Sequence, residues 1–138
     1  MSCAVFDASV LVKLVVEEAG TADARSRFEA SETPVAPDWC MLECAQALWQ
    51  KADRGEYPPE VVRESLDILQ RIDLRLMEST DLVEIAFDIA IAHRHPVYDC
   101  AYIALAQAEN VPLVTADRRL REVAQATGIE VLWVDSAT

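Results

Sequence analysis

Four apolar stretches of this chain each carry one isolated carboxylate, and any fold it adopts must accommodate all four. They are Ala4-Val5-Phe6-Asp7, Trp39-Cys40-Met41-Leu42-Glu43-Cys44-Ala45, Val97-Tyr98-Asp99-Cys100-Ala101 and Leu113-Val114-Thr115-Ala116-Asp117. An ionised carboxylate beside a core is costly unless something pairs with it. No basic residue lies inside these stretches. Four acids without built-in partners point to one shared partner, and a divalent cation is the natural one. The fold must then bring four distant segments to one place.

The pattern between them reads as alternating strands and helices. Residues 3–6 form a short buried strand with Asp7 at its end, and 9–16 a short helix that Gly20-Thr21 breaks. A second helix covers 21–30 and a possible strand 33–36. Asp38 is a good N-cap for a helix over 38–54, which Gly55 stops. Pro58-Pro59 opens a helix over 60–72 with Val61, Leu66 and Leu69 in its apolar stripe. Residues 74–77 suit a strand or a helix tail. Thr80 caps a helix over 81–93, and Pro96 opens another that ends near Asn110. A strand at 112–115, a helix at 118–127 closed by Gly128, and a strand at 130–134 complete the chain. Short apolar strands between helices indicate an α/β fold with a mostly parallel sheet flanked by helices in three layers. Residues 1–138 read as a single domain, long enough for a real core.

Each acid has an ordinary reading as well. Asp7 and Asp117 each follow a strand, where ligands bind in open parallel sheets, but an Asp there is also a common turn or helix cap. Asp99 lies in a first helical turn, where the helix dipole favours a carboxylate whatever its role. Glu43 is harder to explain structurally. From Trp39 to Trp49 only Glu43 and Gln46 are polar, so the helix should be mostly buried, and a structural Glu43 would need a hidden Arg. As a set, oxygen-only ligands select Mg²⁺ or Mn²⁺ over zinc. Such ions activate water and stabilise phosphoryl oxygens. No GxSxG, P-loop, GxGxxG or HExxH motif competes. His93 and His95 flank Arg94 at a helix end, where capping the last carbonyls is their simplest role.

Composition limits the rest. With 12 Lys and Arg against 24 Asp and Glu, the net charge of −12 argues against a general nucleic-acid coat. It leaves room for an enzyme that meets nucleic acid through a metal. All but two of the basic residues are arginines, the side chain suited to phosphate. No apolar run is long enough to span a membrane, and the start lacks a basic, signal-like region. Cys3, Cys40, Cys44 and Cys100 lie in apolar segments without a CxxC, as buried thiols do in a reducing cytosol. A zinc site from Cys40, Cys44 and His93 or His95 lacks the usual ligand spacing. The expectation is a cytoplasmic protein.

Four pieces in order resemble the PIN-domain nucleases, and specifically the VapC-type toxins of toxin–antitoxin pairs. They are Val5-Phe6-Asp7-Ala8-Ser9-Val10-Leu11, Pro37 leading to Glu43 and Ala47-Leu48, Tyr98-Asp99-Cys100-Ala101-Tyr102-Ile103-Ala104-Leu105-Ala106, and Leu113-Val114-Thr115-Ala116-Asp117-Arg118-Arg119-Leu120. The resemblance covers essentially the whole chain. It implies a PIN-like fold and a Mg²⁺- or Mn²⁺-dependent endoribonuclease with Asp7, Glu43, Asp99 and Asp117 as catalytic acids. Asp7, Asp99 and Asp117 would be the metal ligands. Ser9 and Thr115 match the family's hydroxyl positions, and Arg118 is a candidate phosphate contact. The resemblance further implies a homodimer, an RNA substrate, a small antitoxin that blocks the site, and operator DNA met only through that antitoxin. Two other enzyme or signalling families fit poorly. A haloacid-type phosphatase needs an Asp where Ser9 stands, and a response-regulator receiver needs a late Lys, whereas the lysines here are Lys13 and Lys51. The alternative of another class is a binding module of the same fold that acts mainly through antitoxin and operator complexes.

Overall fold

A computed structural model of the chain describes residues 2–135. Five parallel strands form one sheet in the order β3-β2-β1-β4-β5. In chain order the elements are β1 (Cys3–Phe6), α1 (Ala8–Lys13), α2 (Thr21–Ala30), β2 (Thr33–Pro37), α3 (Cys40–Asp53), α4 (Pro59–Leu69) and β3 (Arg75–Met77). A 3₁₀ turn (Thr80–Leu82), α5 (Val83–His93), α6 (Val97–Glu109), β4 (Leu113–Thr115), α7 (Arg118–Ala126) and β5 (Val131–Trp133) follow. The sheet is built outward from β1, first to β2 and β3 on one side, then to β4 and β5 on the other. Right-handed crossovers therefore place α1 to α4 on one face and α5 to α7 on the other. This is the expected three-layer arrangement. Among the described residues, no helix is long and apolar enough to cross a membrane.

Strand order fixes where a ligand would bind. The chain reverses direction between β1 and β4, and in such sheets the crevice opens beyond the strands' carboxyl ends at that point. Asp7 directly follows β1, and Asp117 lies two residues beyond β4.

The most buried helix is α6, not α3. Every residue from Cys100 to Ala106 is buried, because α6 lies against β1, β2 and β4 with α5 packed on its outer side. On α3 only Cys40, Cys44 and Leu48 are buried, while Leu42 is 76% and Trp49 56% exposed. Apolar composition suits an interface as well as a core, and it does not distinguish the two in α3. Asp38 does not cap α3 either. Trp39 occupies that position, and Asp38 accepts a hydrogen bond from the Ser79 hydroxyl at 2.8 Å. Thr80 opens the 3₁₀ turn, and the N-cap of α5 falls on Leu82. Gly55 ends α3 as expected, with φ of 75°.

Candidate active site

Asp7 is the anchor of the site. It is almost fully buried, and its carboxylate caps α1 by accepting from the Val10 N–H at 3.3 Å. Two hydroxyls also donate to it, Ser9 Oγ to Oδ1 and Thr115 Oγ1 to Oδ2, each at 2.6 Å. Both hydroxyls serve a second purpose. Ser9 Oγ accepts from the Ala116 N–H at 3.1 Å and Thr115 Oγ1 from the Asp117 N–H at 3.0 Å. These bonds lock the ends of β1 and β4 together and set where Asp117 starts. Burial nevertheless outweighs the three donors. The Asp7 carboxyl is pushed up to about 6, with the charge of Asp117 adding to the rise.

The other acids arrive from three helices. Asp117 is the N-cap of α7 and accepts from the Arg119 and Leu120 N–H groups at 2.9 and 3.3 Å. Glu43 stands in the first turn of α3. Its carboxyl is pushed up to about 7, first by burial and then by the charges of Asp99, Asp7 and Asp117. Asp99, in the first turn of α6, is also raised, chiefly by burial and in part by Asp117. Glu43 thus feels the charges of Asp99, Asp7 and Asp117, and Asp117 also acts on Asp7 and Asp99.

Among the described residues, the buried His95 imidazole gives Asp99 a hydrogen bond and a compensating charge, and no ion pair reaches Asp7, Glu43 or Asp117. Arg119 supplies a small compensating field at Asp99 from an exposed position. Glu43 Oε1 is buried with no hydrogen-bond partner, and so is the neighbouring Tyr102 hydroxyl. The hydroxyl still offsets part of the rise at Glu43. An orphaned carboxylate oxygen among mutually repelling carboxylates fits an all-oxygen site for a hard divalent cation. Among the described residues, no three His, Cys, Asp or Glu groups stand close enough to share an ion as they are.

His95 belongs to the site, though the sequence reading assigned it to helix capping. Its backbone N–H does donate to the Ala90 carbonyl at 3.2 Å. Its imidazole, however, is buried and meets Asp99 through Nε2 at 2.9 Å. The i,i+4 spacing to Asp99 was the available signal, obscured because His95 precedes the helix that holds Asp99. Trp39 and Tyr102 wall the site, with ring centroids 5.2 Å apart in an edge-to-face contact. Thr115 is fully buried, Ser9 half-buried and Arg118 exposed. All four cysteines are free thiols, with Cys40 pushed up to about 12 and Cys100 to about 11, mainly by burial. They have the character of inert core residues rather than zinc thiolates.

The fold and site define a parallel α/β domain with an acidic crevice at its switch point. The PIN domain family model matches residues 4–126. Ribonuclease VapC3 of Pyrobaculum aerophilum is 31% identical over 120 residues, covering 86% of this chain and 92% of that relative. The chain therefore belongs to the PIN domain family, and within it the similarity is to VapC proteins. Among solved structures, PAE2754 from Pyrobaculum aerophilum superposes with a TM-score of 0.75 at 21% identity, covering 96% of this chain and 91% of that one. VapBC2 from Rickettsia felis, bound to a DNA fragment from its promoter, gives 0.68 at 12% identity, covering 96% and 99%. These two likenesses bear on the fold.

Proposed function

We propose that this chain is a Mg²⁺- or Mn²⁺-dependent endoribonuclease that acts as the toxin of a toxin–antitoxin pair. The observation that carries the reading is the carboxylate cluster itself, four acids from four segments with a buried oxygen of Glu43 left without a partner. The ribonuclease name of the 31% identical relative supports the substrate class.

Asp7, Asp99 and Asp117 would hold the ion. When bound, it supplies charge for the developing phosphoryl oxyanion and lowers the pKa of a water. Glu43 is suited to orient the attacking water, because its carboxyl lies within the field of all three proposed ligands. Thr115 acts on Asp7 from within the core, and Ser9, half-buried at the mouth of the site, would be the hydroxyl within reach of a phosphate. His95 fixes Asp99 in place. Arg118 and Arg119 lie at the exposed start of α7 for phosphate contact.

A small antitoxin would cover this acidic crevice with a basic side chain, and operator DNA would be met through it. A toxin–antitoxin complex from Klebsiella pneumoniae and VapBC2 from Rickettsia felis, bound to a DNA fragment from its promoter, are precedents among proteins of this fold. A homodimer would cover the exposed stripe of Val83, Phe87 and Ile91 along α5. Incubation of purified, antitoxin-free protein with structured RNA and Mn²⁺ tests the reading. Cleavage abolished by EDTA supports it. Binding to an antitoxin without cleavage of any RNA supports the binding-module alternative.

A further inference from the structure

A groove of about 390 Å³ runs from the acidic cluster along α1 and α3. Ser9 and Glu43 line one end, and Lys13, Glu18, Gln50 and Lys51 line the other. Lys13 and Lys51 are the only lysines of a chain with a net charge of −12, and both line this groove, Lys13 from a buried position and Lys51 half-buried. Between them stands Glu18. Its Oε1 accepts from Lys13 Nζ at 3.3 Å and its Oε2 from Lys51 Nζ at 2.6 Å. Lys13 Nζ also donates to the Ala19 carbonyl at 2.8 Å.

The segment bearing Glu18 is held firmly between α1 and α2. Thr21 Oγ1 accepts from the Glu18 N–H at 3.0 Å and donates to the Val16 carbonyl at 3.0 Å. The Tyr57 hydroxyl donates to the Glu17 carbonyl at 2.8 Å. The bridged carboxylate is therefore presented by a braced loop. Two ammonium groups around one carboxylate carry a surplus positive charge, set beside a cluster that would bind phosphate through a metal. Along α3, Lys51 lies eight residues beyond Glu43, or about 12 Å at the rise of an α-helix. A short run of single-strand backbone spans that distance.

We propose that this groove carries the RNA strand next to the cleavage point, that Lys51, with the buried charge of Lys13 behind it, grips a backbone phosphate there, and that Glu18 occupies the phosphate position until RNA displaces it. The inference rests on the ribonuclease reading and adds a second anchoring point to it. It also explains how a strongly acidic protein holds a polyanion, since its lysines are both placed along the strand's path.

The test uses a fluorescein-labelled, single-stranded RNA of mixed sequence in Mg²⁺, with Asp99→Asn as the background so that the RNA stays intact. Anisotropy titrations over a range of salt compare that background with added Lys51→Gln, Lys51→Arg or Glu18→Gln. Lys51→Gln is expected to weaken binding and to flatten the log–log salt slope by about 0.7, one phosphate contact on a single strand. Lys51→Arg should retain the slope, and Glu18→Gln should tighten binding. Melting curves establish that each variant is folded. Mn²⁺-dependent RNA cleavage by the unsubstituted chain is measured in parallel. Cleavage together with unchanged affinity and slope in Lys51→Gln overturns the groove assignment alone. Absence of both cleavage and RNA binding overturns the groove and the ribonuclease reading together.

Discussion

Glu43 should destabilise the metal-free protein at neutral pH, and removing its charge should therefore stabilise the fold. Its carboxyl is raised from 4.5 to about 7, so the folded state disfavours the ionised form. At about 1.4 kcal/mol per pH unit, the full effect above pH 7 is at most about 3.5 kcal/mol. The side chain is only partly buried, and solvent screening reduces this to about 1–2 kcal/mol. The sign follows from proton binding. Below the unfolded value of 4.5 both states are protonated and nothing is lost. As pH rises towards about 7, the unfolded chain releases its proton first, and stability falls across that window. Glu43→Gln keeps the shape and removes the charge. In EDTA at pH 8 it should raise the melting temperature by roughly 3–8 °C, and at pH 4 it should change it little. Thermal unfolding followed by circular dichroism at both pH values measures this. A variant that melts below the parent at pH 8 would show that the Glu43 charge has a stabilising partner, and the shared-cation argument would lose its main support.

Other predictions address separate residues. Asp99→Asn should retain the fold and lose RNA cleavage by orders of magnitude, and full activity in a gel assay would remove Asp99 from the site. Thr115→Val strips one donor from buried Asp7 and one acceptor from the Asp117 N–H. It should cost about 1–3 kcal/mol, read as a lower urea midpoint, with weaker Mn²⁺ binding by calorimetry. His95→Ala removes the group that most lowers the raised carboxyl of Asp99, so the acidic limb of the cleavage rate should move to higher pH. An unmoved profile would reduce His95 to a packing role. Asp7, raised from 3.8 to about 6, predicts that Mn²⁺ binding strengthens between those values as the carboxylate ionises, which calorimetry at stepped pH would register.

The clustering of the four acids was legible because each is a lone charge in an apolar segment, a pattern that a core does not tolerate without cause. Strands ending at Asp7 and before Asp117 were likewise legible from short apolar runs followed by helix signals. Burial was legible only in part. α3 and α6 are similarly apolar, yet α6 lies against the sheet and α3 leaves Leu42 and Trp49 exposed. Periodicity reports which residues avoid water, not whether a core or another surface covers them. His95 escaped because its bond to Asp99 crosses the Pro96 helix start. Lys13 and Lys51 stand 38 positions apart, and only the packing of α1 on α3 and the loop that carries Glu18 bring them to one carboxylate.

The most direct test of the account is cleavage of a structured RNA mixture by purified, antitoxin-free protein. It is run with Mg²⁺ or Mn²⁺, with EDTA, and with the Asp99→Asn variant purified in the same way. The account predicts discrete products with either metal and none with EDTA or with the variant. Equal cleavage by the variant, or cleavage undiminished by EDTA, would contradict it.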